Sequence, residues 1–314
     1  MAPATVQILL ATYNGERFLP DLLASLVAQT HANWRLLVRD DGSSDATLEI
    51  LAAAARTDER IEVVHDDLGN LGTLGNFGEL LRRAADASYM LLADQDDVWL
   101  PGKIASLMGA MRARETVTGP DVALLAFSDL RVGDADLKIT HPSFVDQQGL
   151  RAMIEPSLQL QELITQNVAP GCSMLINAAL RVRALPLPGC VPLHDWWLIL
   201  VAQVCGQIIW VPEALLIYRQ HADNQLGAAS LWGQILRQLR SGGSAYRHRL
   251  RRAQQQAGML VTRFPTQLSN ADRETCLAFS RLANLPPVLR QLVAARRGLH
   301  KCGMSRTLAF YALM

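Results

Sequence analysis

The sequence has few cysteines, and their placement does not indicate a structural role. The five are scattered over 314 residues without a C-x-x-C pair: Cys172, Cys190, Cys205, Cys276 and Cys302. An odd, scattered set predicts neither a zinc site nor a disulfide framework. A zinc-stabilised module and a disulfide-rich secreted domain are therefore both disfavoured.

Long apolar runs and an N-terminal targeting signal are also lacking. No basic residue precedes Arg17, and the first apolar run covers only Val6–Ala11, which is too short for a signal peptide. The longest apolar stretch, Trp196–Tyr218, is interrupted by polar residues, which disfavours a membrane-spanning helix. We therefore expect a cytoplasmic location.

The chain has almost no net charge, +1, but its charges are unevenly distributed. Residues 232–314 contain 14 of the 30 basic residues and only two of the 29 acidic ones. An acidic front is thus followed by a basic C-terminal region. The overall charge indicates no partner, whereas the distribution indicates one for the C-terminal region.

Short apolar runs alternate with amphipathic segments through the first 130 residues. This alternation predicts βαβ units around a mostly parallel sheet, hence an α/β fold. The predicted strands are 6–11, 34–38, 61–65, 89–93 and 122–128, and the predicted helices are 18–29, 46–56, 77–87 and 101–115. The region 131–231 is less regular, with strands predicted at 172–177, 208–211 and 215–219, helices at 157–166 and 195–205, and a loop at 139–157. Helices are predicted beyond residue 232.

Polar clusters follow three of the predicted strands, where α/β proteins bind ligands. The sharpest is Asp94-Gln95-Asp96-Asp97, which places three carboxylates within four residues. Oxygen ligands of this kind suit Mg²⁺ or Mn²⁺ shared with substrate phosphates. The alternative is a solvated acidic turn before the next helix. For Asp40-Asp41 and Tyr13, ordinary turn and packing roles are equally compatible with the sequence.

A glycine series follows the third predicted strand, at every third position from Gly69 to Gly78. The dinucleotide fingerprint G-x-G-x-x-G is absent, which disfavours a nicotinamide or flavin enzyme.

Six motifs in order resemble those of family 2 glycosyltransferases of the GT-A fold, and most of all the bacterial rhamnosyltransferase branch. They are A-T-Y-N-G (11–15), R-D-D-G-S-S-D (39–45), D-Q-D-D-V-W (94–99), G-C-S (171–173), H-D-W-W (194–197) and Y-R-Q-H-x-x-N (218–224). The resemblance covers residues 5–227. It implies a GT-A-type Rossmann-like sandwich as a catalytic domain over 1–231, followed by a helical basic region over 232–314.

The resemblance also implies which residues bind the nucleotide-sugar donor. Tyr13 would stack on the base, Asp41 would accept a hydrogen bond from the base N3–H, and Asp94 would lie near the ribose. Many relatives carry an Arg in the donor-lining stretch that this sequence lacks at the equivalent place, so the sugar stays open. The complete implied donor set is Thr12, Tyr13, Asn14, Asp41, Asn70, Asn76 and Asp94.

For catalysis, the resemblance assigns Mg²⁺ or Mn²⁺ to Asp96 and His221, and the catalytic base to Asp195. A cation offsets charge on the departing diphosphate, while a carboxylate on the opposite face removes the proton of the incoming hydroxyl, so configuration inverts. On the residues alone, Asp195 could equally cap a helix, and the neighbouring aromatic and histidine residues could pack in the core or lie on the surface. The implied support or acceptor residues are Asp97, Cys172, Ser173, His194, Trp196 and Trp197.

The resemblance implies an inverting, metal-dependent enzyme that moves L-rhamnose from dTDP-L-rhamnose onto a surface polysaccharide, such as O-antigen, or a lipid-linked glycan of the cell envelope. A sugar-phosphate nucleotidyltransferase is the first alternative, but it should carry a Gly-rich basic loop after the first strand. This chain has A-T-Y-N-G-E-R there. A catalytically silent glycan-binding subunit is the second alternative.

The basic C-terminal region predicts a peripheral membrane contact. Trp232, Ile235, Leu236 and Leu239 form an apolar stripe beside basic residues, typical of helices that lie on anionic membranes. We expect contact with the anionic inner membrane; the alternatives are docking on the acidic front or on a second subunit. No recognised nucleic-acid-binding motif accompanies the charge, so no nucleic-acid partner is expected.

Overall fold

The computed structural model describes residues 5–221 and 244–314. The stripe predicted at 232–239 and Asn224 of the last motif lie outside these residues.

A nine-stranded sheet forms the centre of the described fold, in the order β3-β2-β1-β4-β8-β6-β9-β5 with β7 paired to β6. The strands are β1 (Val6–Thr12), β2 (Trp34–Asp40), β3 (Ile61–Val63), β4 (Tyr89–Asp94), β5 (Val98–Trp99), β6 (Ala123–Gly133), β7 (Ile139–His141), β8 (Met174–Asn177) and β9 (Gly206–Arg219).

Strands β1 to β4 are parallel, as the alternating pattern predicts. β8 runs antiparallel between β4 and β6, β6 and β9 are again parallel, and β5 and β7 pair antiparallel at the far side. Thr12 lies opposite Asp40, and Ala11 lies opposite Asp94. The polar clusters after β1, β2 and β4 therefore meet at one edge of the sheet.

The helices of the described residues cover both faces of the sheet and continue through the C-terminal region. They are α1 (Leu19–Val27), α2 (Thr47–Thr57), α3 (Gly72–Arg83), α4 (Lys103–Thr118), α5 (Phe144–Gln147), α6 (Arg151–Ile154), α7 (Leu160–Leu163), α8 (Ala178–Ala184), α9 (His194–Cys205), α10 (Ser244–Arg263), α11 (Asn270–Arg281), α12 (Pro287–Arg296) and α13 (Met304–Leu313).

Among the predicted elements that differ from the structure, two have a physical reason in single buried side chains. Helix α3 begins at Gly72 rather than at 77, because the Asp41 carboxylate accepts the main-chain N–H groups of Leu71 and Gly72. The segment 139–157, expected as a loop, contains β7, α5 and α6. Buried Asp129 holds it by accepting hydrogen bonds from the Val145 main chain (3.1 Å) and the Ser143 hydroxyl (2.5 Å).

The basic C-terminal region packs on the part of the chain that precedes it, residues 5–221. Leu260, Phe279 and Phe310 belong to the same buried apolar cluster as Phe77 and Trp197. Three arginines of this region also donate to main-chain carbonyl oxygens of the front part: Arg252 to Val191, Arg263 to Pro186 and Arg306 to Gln148. The two regions that composition separates thus share one core.

The start of β9 requires glycine. A Cβ atom at Gly206 would lie 1.8 Å from the main-chain oxygen of Ala123 on β6. We expect Gly206→Ala to lower the free energy of unfolding by about 1–3 kcal/mol, because the strands would have to separate. Gly109→Ala in α4 is the matched control: a Cβ there meets nothing within 4 Å, so we expect up to about 1 kcal/mol of stabilisation. Urea unfolding measures both; equal effects would contradict the prediction.

Candidate active site

Tyr13 lies at the edge of the cleft beyond β1, and its main chain is held by one side chain. Gln95 accepts a hydrogen bond from Tyr13 N and donates one to Tyr13 O, both at 2.9 Å. A Cβ at Gly15 would lie 2.5 Å from the Gln95 amide oxygen, so this approach needs glycine. The Tyr13 side chain is 52% exposed and can offer a ring face to a planar ligand.

Hydrogen bonds join the loop after β1 to the loop after β2. The Thr12 hydroxyl donates to Asp40 at 2.9 Å, Asn14 N donates to the Ser43 hydroxyl at 2.8 Å, and Asn14 Oδ1 accepts from Ser44 N at 2.9 Å. Asn14 has a left-handed backbone with φ of 49°, which asparagine tolerates better than most residues. The expected nucleotide-pocket residues Thr12, Tyr13 and Asn14 therefore form one braced loop.

Asp41 lies at the start of α3, where main-chain N–H groups favour an anion. Its carboxylate accepts from Leu71 N (2.7 Å), Gly72 N (2.8 Å) and the Arg39 guanidinium (2.9 Å). The Asn70 amide donates to the main-chain oxygen of Asp41 at 2.9 Å. Asp41 thus fixes the turn into α3, and its two oxygens can still accept one further donor.

A buried arginine organises this corner of the site. Arg39 forms a two-pronged bond to Asp66, at 3.1 and 3.0 Å, besides its bond to Asp41. The guanidinium lowers the pKa of Asp66, chiefly through these hydrogen bonds. The Asn76 amide is buried against Arg39, accepting from its side chain and donating to its main-chain oxygen. Asn76, which the resemblance assigns to the donor pocket, is buried and bonds Arg39 in this structure.

The three carboxylates after β4 lie in a poorly hydrated site. The pKa of Asp94 is raised to about 7. Desolvation is the largest cause, repulsion from Asp96 is the second and repulsion from Asp195 is the third. Asp97 is fully buried, and burial raises its pKa well above the usual value. Its Oδ1 accepts from Arg219 N at 3.3 Å, and its Oδ2 has no hydrogen-bond partner in the part of the chain that the structure describes. The cluster therefore carries acceptor capacity that the described residues leave unused.

Asp94 also connects the acidic cluster with Asp195. Both Asp96 and Asp195 lie close enough to Asp94 to raise its pKa by electrostatic repulsion. Asp94 is therefore within electrostatic reach of both the metal residue and the base residue named by sequence.

A buried lysine lies beside the cluster. Lys103 Nζ lies 3.3 Å from the centre of the Trp99 ring and donates to Cys172 O at 2.5 Å. Burial lowers the pKa of Lys103 to about 7, while Cys172, Asp97 and Asp94 act in the opposite direction. Burial raises the pKa of the Cys172 thiol well above its usual value. Cys172 is thus a neutral thiol at pH 7, unsuited to act as a nucleophile or a thiolate ligand.

The end of β9 closes the other side of the acidic cluster. His221 Nε2 lies 2.8 Å from Asp96 Oδ2, and its ring packs on Phe18 with centroids 4.6 Å apart. Arg219 Nε donates to the main-chain oxygen of Asp96 at 2.9 Å, and its guanidinium also bonds Asp21 at 2.6 Å. The predicted metal residues Asp96 and His221 are thus brought together as a direct pair.

Ligand atoms of Asp94, Asp97 and Cys172 lie within 4.8 Å of one another. Two carboxylates, one with an unpartnered buried oxygen, fit a hard divalent cation such as Mg²⁺ or Mn²⁺, whereas a neutral thiol does not. The sequence placed the cation on Asp96 and His221; the structure adds Asp94 and Asp97 as a candidate pair of oxygen ligands.

Asp195 lies in the first turn of α9 and faces the loop that precedes β8. It is 7% exposed, and its carboxylate accepts from Gly171 N at 3.1 Å and Trp196 N at 2.6 Å. Burial raises its pKa to about 6, although these hydrogen bonds oppose the shift. The N-cap position belongs to Leu193, so Asp195 is not the helix cap that its position could suggest.

The residues around Asp195 could either support the site or meet the acceptor, and their side chains are buried. Trp196 donates to Leu163 O at 2.6 Å and Trp197 donates to Ala184 O at 2.9 Å, so both indoles pack in the core. His194 stacks on Phe77, and burial lowers its pKa to about 3, which keeps it neutral. These residues and buried Ser173, whose hydroxyl bonds Pro170 O at 2.7 Å, support the site from behind.

Four residues of the site are missed by the sequence reasoning: Arg39, Gln95, Lys103 and Arg219. Each lies within or just beyond one of the six motifs. The sequence therefore shows where the residue is in the chain but not where its side chain points. Whether such a side chain is buried, and which groups it then meets, is not visible until the chain is folded.

A family model described as glycosyl transferase family 2 matches residues 7–125, which include β1 to β4 and the acidic cluster. A dTDP-rhamnosyl transferase of Shigella flexneri, RfbG, is 23% identical over 70% of this chain and 74% of its own length. Matches to two other bacterial enzymes, whose names specify teichuronic acid biosynthesis and a diphosphoundecaprenol-linked acceptor, cover 42% and 40% of those proteins.

Solved structures share the fold. S. aureus TarS 1-349 in complex with UDP-GlcNAc superposes with a TM-score of 0.57 at 14% identity, covering 98% of this chain and 90% of TarS 1-349. A mannosyltransferase from Pyrobaculum calidifontis, in complex with GDP-Man and Mn²⁺, gives a TM-score of 0.52 at 15% identity, covering 98% and 78% of the two chains.

The fold is that of GT-A glycosyltransferases, and the family match supports a glycosyltransferase. Residues 7–125 carry the sequence pattern of glycosyltransferase family 2. In the described residues, no helix is both long and apolar enough to cross a membrane.

The ion pair around Arg39 predicts a large loss of stability when the cation is removed. We expect Arg39→Met to lower the free energy of unfolding by about 3–5 kcal/mol, since buried Asp41 would lose the Arg39 guanidinium. Asp66 would also lose it, and would keep its bond to Arg83. Because the pKa of Asp66 is lowered in the folded state, its contribution is present above pH 4 or so and is lost as pH falls through the folded pKa. Urea unfolding at pH 7 and at about pH 3 measures both effects.

Arg82→Met is the matched control, because Arg82 is 65% exposed in its pair with Glu79. Its expected effect is within about 0.5 kcal/mol. Equal losses in the two variants would show that Arg39 does not organise the site.

Proposed function

We propose that this glycosyltransferase moves L-rhamnose from dTDP-L-rhamnose onto a hydroxyl of a growing surface polysaccharide or lipid-linked glycan, with Mg²⁺ or Mn²⁺ and with inversion. The observation that carries the proposal is the acidic cluster at the end of β4, where Asp96 pairs with His221 at 2.8 Å. Asp94 in this cluster lies within electrostatic reach of both Asp96 and Asp195. Leaving-group stabilisation and proton removal need separate carboxylates that still face one bound sugar, and this arrangement supplies them.

The nucleotide end of the donor would lie against the braced loop after β1. Half-exposed Tyr13 would stack on the base, with Thr12 and Asn14 shaping the pocket wall. Asp41, with one acceptor position left, would take the base N3–H, and Asn70 would hold that turn in place. The N3–H of a thymine or uracil edge is the donor that such an acceptor requires.

The diphosphate end would lie over the acidic cluster. Asp94, Asp96 and Asp97 would hold the cation, with His221 fixing Asp96. A bound Mg²⁺ or Mn²⁺ would neutralise charge on the diphosphate leaving group. The desolvated carboxylates favour this, since protonation or a cation is required to keep them buried together.

Asp195 would act as the base that accepts the acceptor's proton. Its pKa of about 6 lets it be ionised at neutral pH yet basic enough to take a proton as the new bond forms. Gly171 N and Trp196 N orient the carboxylate toward the cleft. Attack from the face opposite the diphosphate would invert the anomeric centre, so a β-L-rhamnosyl donor would give an α-L-rhamnoside.

The rhamnosyl donor is supported by similarity to RfbG and by the motif pattern. A lipid-linked acceptor would place the enzyme at the cytoplasmic face of the inner membrane. The basic region 232–314 would then supply a peripheral contact with anionic lipid.

Replacing the base should remove turnover but keep the donor bound. We expect Asp195→Asn to lower kcat by about 10²–10⁴-fold, since an amide cannot accept the proton, with dTDP affinity unchanged. In the unsubstituted enzyme, kcat/KM should fall about tenfold per pH unit below pH 6, because protonated Asp195 is inactive. Initial rates from pH 4.5 to 8 and isothermal titration with dTDP are the measurements. Activity that survives in Asp195→Asn would leave only a donor-positioning role.

Donor and metal are tested together by a nucleotide-sugar screen. We expect hydrolysis or transfer with dTDP-L-rhamnose in Mg²⁺ or Mn²⁺, and at least about a hundredfold loss with chelator, since the diphosphate charge is then uncompensated. Asp96→Asn should lower dTDP affinity only when the metal is present, which separates it from Asp195→Asn. Preferred turnover of a UDP-hexose would overturn the rhamnose proposal, and full activity in chelator would overturn the metal proposal. Nucleotide binding without turnover of any donor would favour a silent binding subunit.

A further inference from the structure

Helix α12 exposes apolar side chains where a surface helix normally exposes polar ones. Val288, Leu289 and Leu292 are 76%, 46% and 52% exposed, and Ala294 on the opposite face is fully buried. Positions 288 and 292 lie one turn apart, so these side chains form one strip. The helix therefore buries one apolar face and presents a second.

Helix α13 repeats this pattern. Met304 and Leu308, again one turn apart, are 80% and 63% exposed, while Phe310 is buried. The Gln291 side chain on α12 donates to the main-chain oxygen of Tyr311 on α13 at 3.2 Å, so the two helices are neighbours. Isolated exposed apolar residues are ordinary, but five large ones on two adjacent helices need an explanation.

The charge around these helices has one sign. The last 40 residues, 275–314, contain six basic residues and no acidic residue. Arg296 is exposed on α12. Lys301 lies at the start of α13 near Arg249 and Arg306; burial and then these two cations lower its pKa to about 8.

Arg297 is paired with Glu274 at 2.9 Å, and Lys301 is partly buried. Arg296 is therefore the exposed cation beside the strip on α12. Apolar strips beside such a positive charge match the interface of an anionic bilayer, in which apolar side chains enter the acyl region and cations meet the headgroups.

We propose that α12 and α13 together form the surface by which this enzyme lies on an anionic membrane. This lipid-contact face, defined by Val288, Leu289, Leu292, Met304 and Leu308, rests on the membrane contact proposed for region 232–314 and locates it, and it does not depend on the donor. It differs from the stripe predicted at 232–239, and it holds the enzyme at the membrane without a spanning helix. The same helices share their core with α9, so the surface is rigidly connected to the part of the fold that carries Asp195.

The test uses the full chain and vesicles of equal parts phosphatidylglycerol and phosphatidylcholine. We expect the chain to sediment with them, and the double variant Leu292→Gln/Leu308→Gln to bind at least about tenfold more weakly, because two apolar anchors are lost. Arg296→Gln should weaken binding about fivefold at low salt and less at high salt. Vesicles of phosphatidylcholine alone should bind the chain poorly.

Val117→Gln/Val182→Gln is the matched control, since these valines are 82% and 64% exposed on α4 and α8. This variant should bind vesicles as the unsubstituted chain does. Equal weakening in both double variants would overturn the proposal, as would unchanged binding in Leu292→Gln/Leu308→Gln. A loss of binding confined to Arg237→Gln/Arg240→Gln would also overturn it, by moving the contact to the segment around 232–240.

Sedimentation velocity distinguishes a membrane from a second copy of the chain. If Leu292→Gln/Leu308→Gln converts a dimer into a monomer without changing vesicle binding, the face is a subunit interface and the proposal fails. Donor hydrolysis in solution, without vesicles, should be the same in all these variants. Vesicle binding without any transferase activity would therefore sink the proposed function and leave this surface standing.

Discussion

The structure depends on how three carboxylates can be held together in a dry site at the end of β4. Asp94, Asp96 and Asp97 repel one another, and burial adds to the cost of ionising them. The surrounding residues reduce this cost only in part: His221 bonds Asp96, Arg219 N bonds Asp97, and Lys103 lies behind them. The negative charge that stays uncompensated makes the cluster suitable for a cation, and through the cation for a diphosphate. A fully compensated site would bind neither.

A second buried charge carries the opposite side of the cleft. Arg39 joins the end of β2 to the turn before α3 by bonding Asp41 and Asp66. The turn is then fixed by main-chain N–H groups on Asp41, so the nucleotide side is stiff before any ligand arrives. Rigid support of this kind reduces the entropy that a bound donor has to overcome. The C-terminal helices are also held in place, because their arginines bond main-chain carbonyl groups of residues 5–221. Their apolar strips stay exposed.

Much of the fold was predictable because β1 to β4 lie in the most regular part of the chain. Their apolar runs are short and separated by amphipathic helices, and such a pattern has few alternatives. That β8 runs antiparallel between its neighbours was not predictable, because the sequence of a four-residue strand does not indicate its direction in the sheet. The start of α3 and the ordered structure within 139–157 were not predicted either. Each depends on one buried side chain that is remote in the sequence, Asp41 for α3 and Asp129 for 139–157. For the same reason Trp196 and Trp197 read as ambiguous until their burial was known.

The sequence by itself determined that acidic and polar residues follow β1, β2 and β4, and parallel strands oblige those residues to meet at one sheet edge. It also determined that the C-terminal region is basic. Only the tertiary structure decided which of these groups are buried, which pair with one another, and which apolar side chains stay exposed on α12 and α13. The physical reason is that pKa, solvation and partner choice depend on distances between residues far apart in the chain, such as Asp94 and Asp195, and no local pattern encodes such a distance.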